Sequence, residues 1–246
     1  MRILILVYSV LAYLLANLAI LYAIAFLGDF PFAPVTVDRG PEASPAVAVI
    51  VDLLLLGLFA VQHSVMARPA FKRAWTKIVP PAAERSTYVL AAAVALGVLY
   101  LGWRPIHGQV WDVTPPIARA VLWILFFAGW AILLAATFMI DHFELFGLSQ
   151  GWSAFRGGGG APDASFKTPG LYRVVRHPIY LGLILGFWST PTMTLGHLLF
   201  AIGGTGYIFV GIWFEERDLV AVFGERYRDY RRRVSMIVPW IPKTGG

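Results

Sequence analysis

Two polar clusters bracket one apolar segment in the C-terminal third of this 246-residue sequence. The first cluster, at residues 170–182, contains Arg176 and His177 directly before a proline, and the second contains the adjacent carboxylates Glu215 and Glu216. If the apolar segment forms a helical hairpin, both clusters leave a membrane on the same side and can face each other. Cationic and anionic side chains then meet in one place, which indicates a binding site.

A further polar run, Asp141-His142-Phe143-Glu144, places a histidine between two carboxylates. A neutral imidazole accepts a proton near neutral pH, and a carboxylate beside it can orient the ring. Asp141 need not pair with the ring directly, because neighbouring residues of a helix point about 100° apart. We predict His142 as a general base. His63, which lies in an apolar stretch, is the alternative base, and a purely structural role remains open for each histidine.

The composition excludes an ordinary soluble domain. Hydrophobic residues make up 58% of the chain and charged residues 14%, with a mean hydropathy of +0.69, whereas soluble domains carry roughly 25% charged residues. This composition indicates a polytopic membrane protein. The net charge of +6 fits contact with anionic lipid headgroups better than binding to nucleic acid. Because the sequence has no cysteine, disulfides, thiolate metal sites and cysteine nucleophiles are excluded.

The apolar stretches predict an all-α integral membrane protein with five to six transmembrane helices, a C-terminal helical hairpin and a basic amphipathic tail helix. Four spans and two hairpin arms are predicted at residues 3–27, 44–66, 86–103, 117–140, 179–190 and 195–214. The first arm is short, so five spans with a partial arm and six spans remain alternatives. Tyr227, Tyr230 and Val234 recur at helical spacing among arginines, which predicts a tail helix on the lipid headgroups. One domain is expected over residues 1–246, with residues 170–240 as its ligand-binding module.

The distribution of basic residues predicts the orientation in the membrane. The loops after the first and third spans each carry one basic residue, Arg39 and Arg104. Residues 68–85 carry five basic residues, and the chain after residue 214 carries seven. Basic loops stay on the cytoplasmic side, so we expect residues 68–85, the polar run at 141–144 and both C-terminal clusters to face the cytoplasm.

Three other features receive structural interpretations. Residues 3–27 are interpreted as a retained span rather than a cleaved signal peptide, because no small-residue cleavage site follows cleanly. Asp52, inside the second span, is a functional candidate by position, although a place at the membrane interface explains it as well. The four glycines at residues 157–160 are expected to form a linker or a lid, since they lack the lysine of a P-loop.

Three motifs of the C-terminal region carry a family resemblance. Arg-His-Pro-x-Tyr-x-Gly at 176–182, Glu-Glu-x-x-Leu at 215–219 and Phe-Gly-x-x-Tyr-x-x-Tyr at 223–230 together resemble the isoprenylcysteine carboxyl methyltransferase superfamily of integral-membrane enzymes. Each motif is short, but their order is specific. The resemblance implies that the region binds S-adenosylmethionine as its cofactor. The implied cofactor-binding residues are Arg173, Arg176, His177, Pro178, Tyr180, Gly182, Glu215, Glu216 and Tyr227.

Residues 62–68, 81–88 and 141–147 are similar to the NnrU-like branch of that superfamily. This second resemblance implies methylation of methanethiol, or another small thiol, to dimethyl sulfide at the cytoplasmic face of a bacterial inner membrane. A model thiol loses its proton only near pH ~8.5, so a base is expected. The expected partners are the small thiol and the lipid bilayer. The catalytic candidates are His142, Asp141, His63 and Glu144.

Other functions remain as alternatives. A larger lipidic acceptor, such as a prenylcysteine carboxylate, fits the same superfamily. A haem-dependent isomerase of the NnrU-like type is a different enzyme class, because His63, His142 and His177 could supply axial ligands. A membrane scaffold or transporter fits poorly with so polar a hairpin. No metal ion and no nucleic acid are expected as ligands, and the oligomeric state is left open.

Overall fold

The computed structural model describes residues 1–158 and 166–239, so Gly159, Gly160 and Trp240 lie outside the described residues. The elements in chain order are α1 (Arg2–Leu27), α2 (Pro45–Ala67), α3 (Pro69–Trp75), α4 (Pro81–Gly102), β1 (Gln109–Asp112), α5 (Pro116–Ile140), α6 (His142–Leu145), α7 (Leu148–Phe155), α8 (Pro178–Trp188), β2 (Thr192–Thr194), α9 (Leu195–Phe223) and α10 (Glu225–Arg233). A 3₁₀ turn at Gly170–Arg173 precedes α8. The strands β1 and β2 are short and pair with each other. The predicted all-α class is confirmed.

Within the described residues, five helices are long and apolar enough to cross a membrane, namely α1, α2, α4, α5 and α9. The prediction of an integral membrane protein is therefore confirmed. The helix α8 has 11 residues. At 1.5 Å per residue it is about 16 Å long, roughly half of the ~30 Å hydrocarbon core. This helix is the short first arm of the predicted hairpin, so the structure favours five long helices and a partial arm over six full spans.

Proline residues mark the start of several helices. Among the described helices, five begin at a proline, namely at Pro45, Pro69, Pro81, Pro116 and Pro178. Proline suits the first helical turn, because its φ is already helical and the N–H that it lacks has no acceptor there. The predicted break at residues 80–81 is present, but α4 begins at Pro81 rather than at residue 86. The basic segment before it contains α3, which the sequence analysis does not predict.

The helix α9 is longer than its apolar sequence indicates. The predicted arm ends at residue 214, where charged residues begin, but the helix continues to Phe223. It ends at Gly224, whose φ of 55° favours glycine. Glu215 and Glu216 therefore lie on the helix rather than beyond its end. The tail helix α10 is present as predicted, although it ends at Arg233, one residue before the predicted apolar position 234.

The contacts within the chain divide it into two compact units. The first unit contains α1 to α4, α6, α7 and the first residues of α9. The second unit contains α5, α8, the remainder of α9 and α10. The assignment of one domain to the whole chain stays a prediction.

Aromatic rings form the core of the first unit. Phe26 is fully buried, and its ring centroid lies 5.0 Å from that of Tyr100 and 5.9 Å from that of Trp103. The Tyr100 hydroxyl donates a hydrogen bond to the carbonyl of Ala19 at 3.1 Å. A polar atom that is buried in such a core requires a hydrogen-bond partner, and the backbone of α1 provides the partner of the Tyr100 hydroxyl.

Asp52 is also buried in the first unit. Its side chain has no exposed surface, and Oδ1 accepts a hydrogen bond from the backbone N–H of Arg104 at 2.9 Å. Its place at the membrane interface stays a prediction, and the side chain is covered by the protein. The carboxylate holds the chain where it leaves α4, because a buried carboxylate needs a donor and the backbone beyond that helix provides one.

In the second unit, glycines allow α5 and α8 to approach each other closely. A Cβ atom on Gly129 of α5 would lie 2.6 Å from the carbonyl oxygen of Gly182 on α8. A Cβ atom on Gly186 would lie 3.0 Å from the ring of Trp130. Small residues at such crossings let helix backbones pack by van der Waals contact, which is a common way for membrane helices to associate.

Candidate functional site

A buried ionic cluster lies in the second unit, around Glu216 on α9. Its Oε1 accepts hydrogen bonds from Nε of Arg176 at 2.7 Å and from Nε2 of His177 at 3.1 Å. Its Oε2 lies 3.1 Å from Nε of Arg231, on α10. Glu216, Arg176 and His177 are each less than 8% exposed. The prediction that the two sequence clusters face each other is confirmed.

The chain after α10 holds the cationic side of this cluster in place. The backbone N–H groups of Arg176 and His177 donate to the carbonyls of Ser235 at 2.8 Å and Met236 at 3.1 Å. Nη1 of Arg176 also donates to the carbonyl of Val234 at 2.7 Å. Val175, directly before this pair, forms a parallel β-bridge with Ser235, and α8 begins only at Pro178. No pattern in the sequence marks residues 234–236 for this contact.

The other glutamate of the pair, Glu215, points to a more open environment. Its side chain is 45% exposed, and Oε2 accepts a hydrogen bond from the Tyr180 hydroxyl at 3.0 Å. The Tyr180 ring stacks on the His177 ring with their centroids 5.5 Å apart. Tyr180 therefore joins the buried ionic cluster to an accessible carboxylate. A carboxylate has about four acceptor positions, so Glu215 can accept further hydrogen bonds from a ligand.

The tail helix α10 turns its aromatic face into the second unit. Tyr227 is 2% exposed, and its ring contacts that of Phe166 at 5.8 Å between centroids. The Tyr230 hydroxyl donates to the carbonyl of Tyr172. Burial raises the pKa of Tyr230 to about 12, so this hydroxyl keeps its proton at neutral pH. The protein itself covers both tyrosines, and the placement of α10 on the lipid headgroups stays a prediction.

The remaining residues predicted for the cofactor have other surroundings. Arg173 is exposed, and its Nε donates to the carbonyl of Thr168 at 3.3 Å. Gly182 lies at the crossing of α5 and α8, where a side chain would not fit. Pro178 begins α8. Arg173 is thus placed where it can touch a ligand, whereas the observed roles of Gly182 and Pro178 are structural.

In the first unit, His142 is enclosed by aromatic rings. It is 3% exposed, and its Nε2 lies 2.9 Å from the hydroxyl of Tyr13 on α1. The ring centroids of Phe143 and Phe146 lie 5.4 Å and 4.9 Å from that of His142. Burial lowers the pKa of His142, while the negative charge of Asp141 opposes this effect. The ring is therefore neutral at neutral pH, as a general base must be.

The two carboxylates that flank His142 differ in their contacts. Oδ1 of Asp141 accepts from the backbone N–H of Glu144 at 2.9 Å, which caps α6. The carbonyl of Glu144 accepts from the side chain of Gln150 at 3.2 Å. Among the residues that the structure describes, none forms a hydrogen bond or ion pair with the Glu144 carboxylate.

The turn that carries His142 is fixed to α4. Nε of Arg85 donates to the carbonyl of Leu145 at 2.7 Å, and the Ser86 hydroxyl donates to the carbonyl of Gly147 at 3.2 Å. Gly147 has a φ of 84°, and a Cβ atom there would lie 2.7 Å from the backbone nitrogen of Ser86. Glycine is thus required at the last position of the motif at residues 141–147 for two independent reasons.

His63 lies in the same unit and reaches the same turn through its neighbours. Its Nε2 is 2.8 Å from the hydroxyl of Tyr88. The guanidinium of Arg85 lies 4.9 Å from the centre of the Tyr88 ring, and Phe146 packs against the buried group that includes Tyr88. Both predicted base candidates therefore belong to one cluster. We call it the two-histidine cluster, and it comprises Tyr13, His63, Arg85, Tyr88, His142 and Phe146.

The hydroxyl partner of His142 was missed from the sequence. Tyr13 and His142 are 129 positions apart, and the sequence around Tyr13 carries no charged residue from position 3 to position 27. One signal was present, because a hydroxyl group within a membrane helix requires a hydrogen-bond partner.

The chain is similar in sequence to known proteins over most of its length. Residues 52–237 match the family described as NnrU protein. Methanethiol S-methyltransferase of Mycobacterium tuberculosis is 56% identical over 241 residues, which cover 97% of both chains. Methanethiol S-methyltransferase 2 of Bradyrhizobium diazoefficiens is 51% identical over 97% of this chain and 91% of the relative. Methanethiol S-methyltransferase of Pseudomonas deceptionensis is 51% identical over 87% of this chain and 81% of the relative.

Proposed function

The chain belongs to the NnrU protein family, and we propose that it methylates methanethiol, or another thiol of similar size, to give dimethyl sulfide. The observation that carries this proposal is the similarity, across nearly the whole chain, to relatives named methanethiol S-methyltransferase. A second enzyme class or a lipidic acceptor has no comparable support. We further propose a bacterial inner membrane as the location, with the basic segment at residues 68–85 and the tail on the cytoplasmic side.

The proposed methyl donor is S-adenosylmethionine, which supplies a methyl group on a positively charged sulfur when it is bound. The molecule also presents an ammonium group, a carboxylate and ribose hydroxyls, so its site needs acceptors and a cation. The second unit offers both. The half-exposed carboxylate of Glu215 has unused acceptor positions, and the exposed guanidinium of Arg173 is available to an anion. These residues fit the donor chemically.

We assign two roles within this proposed donor site. Glu215 and Arg173 hold the ligand, because their polar atoms are accessible. Glu216, Arg176 and His177 position the site, because they are buried and bonded to one another. Tyr180 links the two groups through its hydrogen bond to Glu215 and its stacking on His177. A buried and mutually bonded frame keeps the binding residues oriented without a ligand.

The acceptor must lose a proton during the reaction. A bond forms between the thiol sulfur and the methyl carbon while the donor's carbon–sulfur bond breaks, and the proton of the S–H group passes to a base. His142 is the proposed base, because it is held neutral and its Nε2 is bonded to a hydroxyl. With the ring proton on Nδ1, Tyr13 can donate its proton to Nε2 while its oxygen accepts the proton of the thiol. His63, paired with Tyr88, is the alternative base.

Expression in a host that forms no dimethyl sulfide tests the proposed function. Cells that carry the chain and receive methanethiol are expected to release dimethyl sulfide into the headspace, whereas cells with an empty vector do not. Membranes from the same cells are then offered a prenylcysteine analogue with a labelled donor. Labelling of that analogue without dimethyl sulfide would contradict the small-thiol acceptor. A Soret absorption band of the purified protein without methyl transfer would contradict the methyltransferase class.

A further inference from the structure

Arg85 is the charged member of the two-histidine cluster, and most of its hydrogen-bonding capacity is unused. Its Nε donates to the carbonyl of Leu145 at 2.7 Å. In the described parts of the chain, its other N–H groups donate to no residue and no carboxylate forms an ion pair with it. A guanidinium carries five N–H donors in a planar fork, so four donors of Arg85 remain for a ligand.

The surroundings of Arg85 fix its orientation without neutralising its charge. The guanidinium lies 4.9 Å from the centre of the Tyr88 ring, and the bond to Leu145 holds its edge against the turn that carries His142. The titratable groups on the neighbouring elements include His63 on α2, Glu84 and Tyr88 on α4, Tyr13 on α1, and Asp141, His142 and Glu144 at α6. A partly buried cation of this kind attracts a small anion.

We infer that Arg85 binds the sulfur of the acceptor as a thiolate. This inference rests on the proposed function and adds the group that stabilises the ionised substrate. When the S–H bond breaks, the proton goes through a hydroxyl to a neutral imidazole of the cluster, and the negative charge stays on the sulfur beside the guanidinium. A neighbouring arginine lowers the pKa of a thiol, so a larger fraction of the bound thiol is ionised at neutral pH. Arginine suits this role because it stays protonated and its fork is rigid.

Two substitutions at Arg85 separate its charge from its hydrogen bond. Arg85→Gln removes the charge and keeps an N–H donor for the carbonyl of Leu145, whereas Arg85→Lys keeps the charge and loses the planar fork. Arg73→Gln is the matched control, because Arg73 is an exposed arginine on the nearby α3. Each purified protein is reconstituted in vesicles, and kcat and KM are measured for methanethiol and for S-adenosylmethionine between about pH 6 and pH 9, a range that contains the pKa of ~8.5 of the cysteine side chain as a model thiol.

At neutral pH, we expect Arg85→Gln to lower kcat/KM for methanethiol by about tenfold or more, since tenfold corresponds to one unit of thiol pKa. The loss in kcat should shrink as the pH rises, because thiolate then forms without help. Arg85→Lys should retain more activity than Arg85→Gln, and Arg73→Gln should resemble the unmodified chain. The inference is contradicted if Arg85→Gln is as active as the unmodified chain, or if it loses less activity than Arg85→Lys. An effect confined to the KM of S-adenosylmethionine would also contradict it.

A binding measurement keeps this test independent of turnover. Methanethiol and dimethyl sulfide are titrated separately into the protein by calorimetry, in the presence of S-adenosylhomocysteine so that no methyl group is transferred. Arg85→Gln should weaken methanethiol and leave dimethyl sulfide unchanged, because only the thiol can ionise. Equal weakening of both ligands contradicts the thiolate site. If the unmodified chain binds methanethiol in this way but releases no dimethyl sulfide, the proposed reaction is wrong and the thiolate site stands.

Discussion

The adjacent carboxylates Glu215 and Glu216 have different surroundings and therefore different expected roles. Glu216 is buried with Arg176 and His177, and these three side chains satisfy one another. Glu215 has 45% of its side chain exposed, and among the residues that the structure describes only the Tyr180 hydroxyl lies at hydrogen-bonding distance from it. Because α9 continues through both residues, one of them turns inward and the other outward.

This difference predicts opposite results for two conservative substitutions. Glu216→Gln removes the negative charge from a buried pair and should destabilise the protein by on the order of 3 kcal/mol, because Arg176 keeps an uncompensated charge. Glu215→Gln should leave the thermal midpoint unchanged and weaken S-adenosylmethionine binding. Thermal unfolding in detergent and calorimetric titration of the cofactor measure the two effects. A lower thermal midpoint for Glu215→Gln with unchanged cofactor affinity would reverse the two assignments.

At the same scale, His142 predicts a characteristic pH dependence. Burial lowers the pKa of His142 below the ordinary ~6.5, so the imidazole stays neutral in mildly acidic solution. The rate should fall only at a pH below ~6.5, where the imidazole becomes protonated and can no longer act as a base. His142→Ala should slow methyl transfer 10²–10⁴-fold at neutral pH, as loss of a general base typically does, and a higher pH should restore part of the rate. Tyr13→Phe should give a loss of similar size with the same pH dependence, because it removes the hydroxyl that passes the thiol proton to Nε2.

His63→Ala is the control for that measurement. His63 lies in the same cluster but has Tyr88 as its hydroxyl partner, so it should show less rescue at high pH. If His63→Ala shows the pH-rescued loss and His142→Ala does not, the base is His63. If neither variant loses rate at neutral pH, catalysis by a histidine base is wrong and positioning carries the reaction.

At the scale of elements, the crossing of α5 and α8 carries a prediction about stability. Gly129→Ala would place a methyl group 2.6 Å from the carbonyl oxygen of Gly182, so the helices must separate. We expect a loss of about 1–3 kcal/mol, the usual cost of overpacking. Gly97→Ala in α4 is the matched control, since no atom lies within 4 Å of a Cβ there. Its stability should stay equal or rise, and equal thermal midpoints for both variants would contradict the tight crossing.

The elements also show what the sequence could predict. Spans follow from hydropathy, because a bilayer requires every backbone polar group of a long apolar segment to be bonded within a helix. The extension of α9 to Phe223 does not follow from hydropathy, because its charged end is stabilised by Arg176 and Arg231 from distant segments. The hydrogen bond between Tyr13 and His142 does not follow from hydropathy either. The meeting of Arg176 and His177 with Glu216 could be predicted, since a hairpin returns both ends to one side.

At the scale of the whole molecule, the distribution of charge predicts a topology that can be measured directly. The chain has no cysteine, so single cysteines can report the side of the membrane. Arg73→Cys lies in the basic segment on α3, and Val110→Cys lies on β1 in the loop with few basic residues. In intact spheroplasts, an impermeant maleimide should label Val110→Cys only, and permeabilisation should expose Arg73→Cys. The reverse pattern would contradict the cytoplasmic placement of residues 68–85.

The central claim is the transfer of a methyl group to a small thiol, and one isotopic measurement tests it most directly. The purified chain is reconstituted in vesicles with methanethiol and S-adenosylmethionine whose transferable methyl group is trideuterated, and the headspace is analysed by mass spectrometry. We expect dimethyl sulfide with one deuterated and one unlabelled methyl group, formed in proportion to the protein and abolished when methanethiol is omitted. Absence of this product, while the same protein binds S-adenosylmethionine in calorimetry, would contradict methanethiol as the acceptor.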